Sequence, residues 1–514
     1  MSVEKSNRFI TQLGLFLAIA LYIAVRFWGL TDSCLWFDEI FSIHAANHHL
    51  SDAAPIPGLL DFVAQDLIHP PLFYLLLKFW IFFADGESLL WLRLFPVFFS
   101  ILALLPLLLL CRELKFTTLE KTTAITFLAV NGSLIKYSQE VRMYSVLSCL
   151  SLFSIWLFAR FLNTTRKSTF FWLFFVNLLL VYTHYFGWLV VVSEVFAVLL
   201  WRREFLKRFI AGFLFLAICF APWAFAVLNA AQSNTGLKQN IGWAAKPGLA
   251  KLLSFIFSLH EPFYYQQHSL EAPNLLLISL PFAFVCISAM IFALCVEKET
   301  FVFRLLAVFV IVPVFIAFIA SWLLPYSVWG IRHLIIIFAP YSLIVALSLN
   351  RLRPIGLKIG AFCLLGLLIF AGCAFHFGRT KNVNIWCGWE ELAKQAIEKE
   401  VAFENLTVYA FEDLVAYHLW FATKYDQRIN IVAVKDFPGI EEDKAYFLPR
   451  GFEEVKIMDK NAIAGDQFWI AFRSKIWNPS HPLIQDLTMR GYKFGKPLEF
   501  KAGPETAFLV KFKK

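Results

Sequence analysis

Five short segments carry the polar residues that interrupt an otherwise apolar chain. Trp36-Phe37-Asp38-Glu39 presents two adjacent carboxylates, and His69 precedes the pair Pro70-Pro71. Further along come Tyr137-Ser138-Gln139-Glu140-Val141-Arg142-Met143-Tyr144 and Tyr182-Thr183-His184-Tyr185-Phe186-Gly187, then Gly330-Ile331-Arg332-His333. Carboxylates at such positions can take a proton or hold a divalent ion; arginine and histidine can hold an anion. Hydrolysis of a glycosidic bond needs two carboxylates, because the leaving oxygen must be protonated. A sugar carried on a lipid phosphate leaves as an anion that is already stable. One carboxylate to take the acceptor's proton then suffices, with cationic groups on the departing phosphate. Asp38 suits the base, and Arg332 and His69 suit the phosphate. If the stretch from Tyr137 is helical, Glu140 shares a face with Tyr137 and Tyr144 while Arg142 points elsewhere, which ranks Glu140 above Arg142 as a site residue.

Each segment also has a plain structural account. Asp38 and Glu39 could cap the helix that follows them. Tyrosines near span ends are commonly interfacial belt residues, and Arg142 and Arg332 could reach toward head groups. His184 by itself is more often a packing residue. A joint account is stronger, because all five segments fall on one side of the bilayer, where arginine is otherwise scarce. That account is an outward-facing site for an anion and a carboxylate base.

The elements that must position these groups are membrane helices. The chain has 514 residues, 59% hydrophobic and only 16% charged, with 58 phenylalanines and a mean hydropathy of +0.65. Soluble domains are nearer a quarter charged, so a soluble enzyme, a disordered scaffold and a disulfide-stapled secreted domain are excluded. The net charge of +9 does not imply nucleic acid, since the basic residues sit in short loops between apolar runs. The nine cysteines show no metal-type spacing, and most lie within apolar stretches.

Eleven runs read as spans: 9–30, 88–110, 119–135, 141–162, 169–184, 186–201, 208–229, 274–295, 302–324, 332–350 and 355–376. With the N-terminus inside, every basic cluster, from Arg112 and Lys115 through Arg202 and Arg203 to Arg351 and Arg353, falls on the inner side. The apolar stretch that His69 opens, ending at Phe83, is only about 14 residues long and reads as an interfacial helix. The expected fold is therefore an all-α polytopic membrane domain over 1–377. A small α/β domain over 378–514, outside the membrane, follows it. In that tail Trp389–Glu400 has helical spacing, and 405–410, 429–434, 467–472 and 506–512 read as strands. Turns are expected at Phe437-Pro438-Gly439 and Pro449-Arg450-Gly451.

The ordered set of an acidic pair after the first span, His-Pro-Pro-Leu, Tyr-Ser-Gln-Glu-x-Arg-Met-Tyr, Tyr-Thr-His-Tyr and a late Arg-His resembles the GT-C superfamily of membrane glycosyltransferases. Within it, the chain looks like the branch of protein O-mannosyltransferases and the aminoarabinose transferase acting on lipid A, over roughly residues 10 to 350. The resemblance implies an inverting transferase that takes sugar from a polyprenyl-phosphate donor on the outer face. Asp38 would be its base, with Glu39 beside it, and Glu140 would be the second acidic residue. Around them His69, Tyr137, Arg142, His184, Arg332 and His333 would bind donor phosphate or substrate. Where that family has a late Arg-Tyr, this chain has Arg332-His333, and its central loop of about 230–273 is too short for the folded domain of the O-mannosyltransferases. Asp38 and Glu140 could hold a divalent metal ion.

The expected partners are the lipid-linked donor, a glycan, lipid or protein acceptor, and the bilayer, most simply a bacterial inner membrane with the C-terminal domain outside. A secondary transporter would instead place polar groups near the midplane, on broken helices in matched halves. By the same resemblance, a polymerase or ligase of lipid-linked glycans would lack the acidic pair followed by His-Pro-Pro.

Overall fold

The computed structural model describes residues 2–47, 55–83, 88–232, 244–267, 271–296, 301–379, 384–399, 406–435, 437, 448–449, 452 and 454–514. Among them, eight helices are long and apolar enough to cross a bilayer, from Phe9–Phe27 through Leu89–Glu113 and Tyr144–Thr164 to Ile355–Gly378. Three other expected spans are shorter helices: Thr118–Val130, Lys167–Thr183 and Gly187–Trp201. The chain divides into two units. One comprises Met1–Leu30, Leu67–Asn234 and Ile241–Arg379; the other is built chiefly from Thr31–Asp66 and Thr380–Lys514. The segment after the first span thus belongs with the tail, where the sequence reading had set it with the membrane domain.

In the helical unit, Ser2–Phe27 packs along Thr118–Val130, and Tyr144–Thr164 packs on Lys167–Thr183. Thr118–Val130 starts on a capping box. The Thr117 hydroxyl accepts from the Glu120 N–H, and the Glu120 carboxylate accepts from the Thr117 N–H. The run expected over 119–135 is not one helix. It ends at Val130, and Asn131 caps a new short helix, Gly132–Gln139, by accepting from the Leu134 N–H at 3.0 Å. The cause is a close backbone approach. A Cβ on Gly132 would lie 2.0 Å from the Tyr264 carbonyl oxygen, so only glycine fits.

His69 is introduced by Leu67, whose φ of 65° is a left-handed conformation costly for leucine. Pro71 then precedes Leu72–Phe82, 11 residues long. That is about 16 Å of helix at 1.5 Å per residue, too short to span.

The other unit contains a mixed seven-stranded sheet of order β3-β2-β1-β4-β7-β5, with β6 also on β7. The strands are β1 Leu406–Ala410, β2 Ile429–Lys435, β3 Lys456–Asp459, β4 Gln467–Ser474, β5 Lys493–Phe494, β6 Leu498–Ala502 and β7 Glu505–Lys513. β3, β2, β1 and β4 run parallel, and β7 is antiparallel to β4, with Ile470 opposite Val510. Side chains alternate between two cores, as the two-residue period of a strand dictates. Val408, Ala410 and Trp469 face one core, and Tyr409, Phe411 and Ile470 face the other. The four strands expected from the sequence are β1, β2, β4 and β7, and the expected helix is Cys387–Lys399. Of the expected turns, Pro438, Gly439, Arg450 and Gly451 lie outside the described residues.

Candidate functional site

The helical unit holds seven of the nine flagged residues, at or beside the ends of its helices. The helix Gly132–Gln139 stops at Glu140, whose backbone is extended, so the chain turns through Val141 and Met143 before Tyr144–Thr164 begins. The helix assumed to continue through Tyr144 does not exist. This overturns the ranking of Glu140 over Arg142: the break directs Arg142 onto His69, and its Nη2 donates to the His69 Nε2 at 3.2 Å. A guanidinium has no acceptor, so Nε2 of His69 carries the lone pair. Both residues are buried, as is Glu140. Tyr137 and Tyr144 meet edge to face at 5.1 Å, and the Arg332 guanidinium lies 6.0 Å over the Tyr144 ring.

His184 closes the cluster. Its turn is tight because Gly187 lets the chain approach Leu180; a Cβ there would lie 2.7 Å from the Leu180 carbonyl oxygen. The His184 ring sits 5.9 Å from His69 and 5.4 Å from His333, centroid to centroid. Its Nδ1 accepts from the Phe186 N–H at 3.0 Å, which leaves Nε2 as the protonated nitrogen. The ring is therefore a neutral N–H donor. The His333 Nδ1 donates to the Val328 carbonyl at 3.2 Å. Two arginines and three histidines thus converge from four sequence segments, and the two guanidiniums with the His184 Nε2–H are the donors they offer a phosphate.

Asp38 and Glu39 belong to the other unit, in the helix Phe37–Asn47. The two differ. Glu39 is 1% exposed, and its Oε2 accepts from the Trp36 N–H at 3.2 Å, which makes it the cap of its own helix. Asp38 is partly exposed. Among the described residues no group of three or more His, Cys, Asp or Glu side chains is arranged to hold a metal ion.

Sequence reasoning missed the clamp beneath this cluster. Arg26, fully buried, donates to the carbonyls of Leu128 and Ala129 at the negative end of the helix Thr118–Val130. Gln139 donates to the carbonyls of Arg26 and Trp28 at 3.0 and 2.7 Å. Together they tie the first span to the segment carrying Glu140 and Arg142. The signal was available: Arg26, like Arg142, is an arginine at the arginine-poor end of a span.

No protein-family model matches the chain, and no curated protein does. Among solved structures, it is similar to ArnT from Cupriavidus metallidurans bound to undecaprenyl phosphate, at 11% identity and a TM-score of 0.60, covering 96% of this chain and 97% of that one. The same protein in its apo state matches with a TM-score of 0.58 over the same shares, at 11% identity. The archaeal oligosaccharyltransferase AglB from Archaeoglobus fulgidus matches at 12% identity and a TM-score of 0.48, over 81% of this chain and 64% of that one. The chain therefore has the fold of ArnT.

Proposed function

We propose that this chain is a membrane glycosyltransferase. It takes a sugar from a polyprenyl-phosphate donor and passes it, with inversion, to a hydroxyl of a lipid, glycan or protein acceptor on the outer face of the membrane. The observation that carries this reading is the convergence of Arg142, His69, His184, His333 and Arg332 in a chain with the fold of ArnT, a protein solved with undecaprenyl phosphate bound. In the step, Asp38 takes the acceptor's hydroxyl proton and the acceptor oxygen bonds to the anomeric carbon. The carbon–oxygen bond to phosphate breaks, and its electron pair stays with the phosphate. That anion needs no general acid. Arg142 and the His184 N–H stabilise the charge as it develops. Glu39 holds the helix that carries Asp38. A transporter is less well supported, because the polar cluster gathers at helix ends rather than on broken helices at mid-span.

Mass spectrometry of lipid-linked sugars and surface glycans, with and without the gene, tests the reading directly. The donor should accumulate and one glycan should lose a sugar when the gene is deleted; identical profiles would refute it. Within the site, Arg332 is partly exposed, so its contribution should be moderate. Arg332→Ala should reduce donor use about tenfold, and Arg332→Lys, which keeps a charge, should be affected less. Equal activity in all three forms would make Arg332 a head-group anchor. Orientation rests on the charge bias alone. Reporter fusions after Arg203 and after Lys514 should report opposite sides of the membrane, and the same side for both would sink the outward-facing site.

A further inference from the structure

The helix that carries the acidic pair is built into the C-terminal unit rather than laid upon it. Ile40 belongs to the same buried core as Trp389, Leu392, Val408 and Trp469. Phe37 meets the Tyr417 ring edge to face at 5.5 Å. Tyr417 lies on the helix Asp413–Thr423 and is completely buried; burial first, then Glu454, raises its pKa, so the hydroxyl keeps its proton. That hydroxyl is hydrogen-bonded to the His44 Nδ1 at 2.8 Å, while the His44 Nε2 faces a Glu454 oxygen at 3.7 Å. Cys34, four residues before Asp38, is disulfide-bonded to Cys387, 353 residues away. The acidic helix is thus fixed on both sides of Asp38: covalently four residues ahead of it, and by a buried hydrogen bond six residues beyond it.

We propose that the C-terminal unit is the device that positions Asp38, with Cys34, Cys387, His44 and Tyr417 as its positioning residues. This rests on the reading of Asp38 as the base and gives the tail a role in the same reaction. A base must be held to within a fraction of an ångström, and a displacement of about 1 Å can cost about a hundredfold in rate. A flexible 11-residue helix on a loop could not meet that demand by itself. The disulfide forms only in an oxidising compartment, the side to which the charge bias assigns the tail.

The experiment uses the full-length protein in membranes with a polyprenyl-phosphate sugar, comparing the oxidised form with one treated with dithiothreitol. Two electrons and two protons from the reagent, itself oxidised to a cyclic disulfide, turn the bond into two thiols. The other seven cysteines are free, so this is the only bond broken. The reduced enzyme should lose about tenfold or more in kcat, with the donor KM changed by less than about twofold. The double variant Cys34→Ser/Cys387→Ser should show the same low kcat and no further response to reductant. Tyr417→Phe, which removes one hydroxyl and keeps the core filled, should lower kcat less. Hydrogen exchange over Phe37–Asn47 should rise in every one of these forms. Unchanged exchange, or raised exchange with unchanged kcat, overturns the positioning role. A fully active Asp38→Asn enzyme whose kcat still falls on reduction removes Asp38 from the reaction yet leaves the C-terminal unit as the holder of a working helix.

Discussion

Asp38→Asn should abolish most transfer while leaving the donor bound. Asparagine keeps the size and much of the hydrogen bonding of aspartate but cannot take the acceptor's proton. General-base contributions are about 10²–10⁴-fold, so transfer should fall by at least about a hundredfold. Donor affinity should persist, because the groups proposed to hold the phosphate, Arg142 and His184 foremost, are in the other unit. Asp38→Glu should recover little, since one added methylene moves the carboxylate by about an ångström. Glu39→Gln should be much milder: its amide oxygen can still accept from the Trp36 N–H. A transfer assay at matched protein levels separates the three. Full activity in Asp38→Asn would remove Asp38 from the mechanism, and loss of protein level in that variant would point to a structural role.

Arg142→Ala should have the second largest effect. The guanidinium is 2% exposed and already bonded to His69, so it acts from a dry, fixed position where a charged donor has most influence on a departing phosphate. Removing one such donor typically costs about 10²–10³-fold, and kcat/KM should fall by that order. Arg142→Lys should regain part of it, because the charge returns but the planar fork that reaches both His69 and an anion does not. His69→Ala should be nearly silent in the Arg142→Ala background if the two act as one unit, and additive if they do not. Kinetics with a lipid-phosphate sugar at varied donor concentration measure all of these. An Arg142→Ala enzyme with normal kcat/KM and normal protein level would remove the cationic cluster from the proposed reaction.

The composition of the chain determined that its folded form must be helical and membrane-embedded, because 59% hydrophobic residues in long uncharged runs cannot be hidden from water any other way. The segments carrying polar groups were also legible, since a charged residue beside an apolar run is costly wherever it is not used. The strands β1, β2, β4 and β7 were visible through their alternating pattern. What periodicity could not supply was any relation between distant residues. That Gly132 must be glycine follows from a Tyr264 backbone more than a hundred residues away, and it is the separate break at Glu140 that brings Arg142 rather than the next helical face to His69. Nothing local to Cys34 or His44 names Cys387 or Tyr417 as a partner. Nor could Asp38 and Glu39 be told apart from their order in the chain. Their roles diverged only when the helix formed, since adjacent side chains leave a helix about 100° apart, and one then turned inward to cap while the other kept its solvent face. Local spacing dictates which elements form; the packing of those elements decides which side chains meet, and that choice belongs to the tertiary structure.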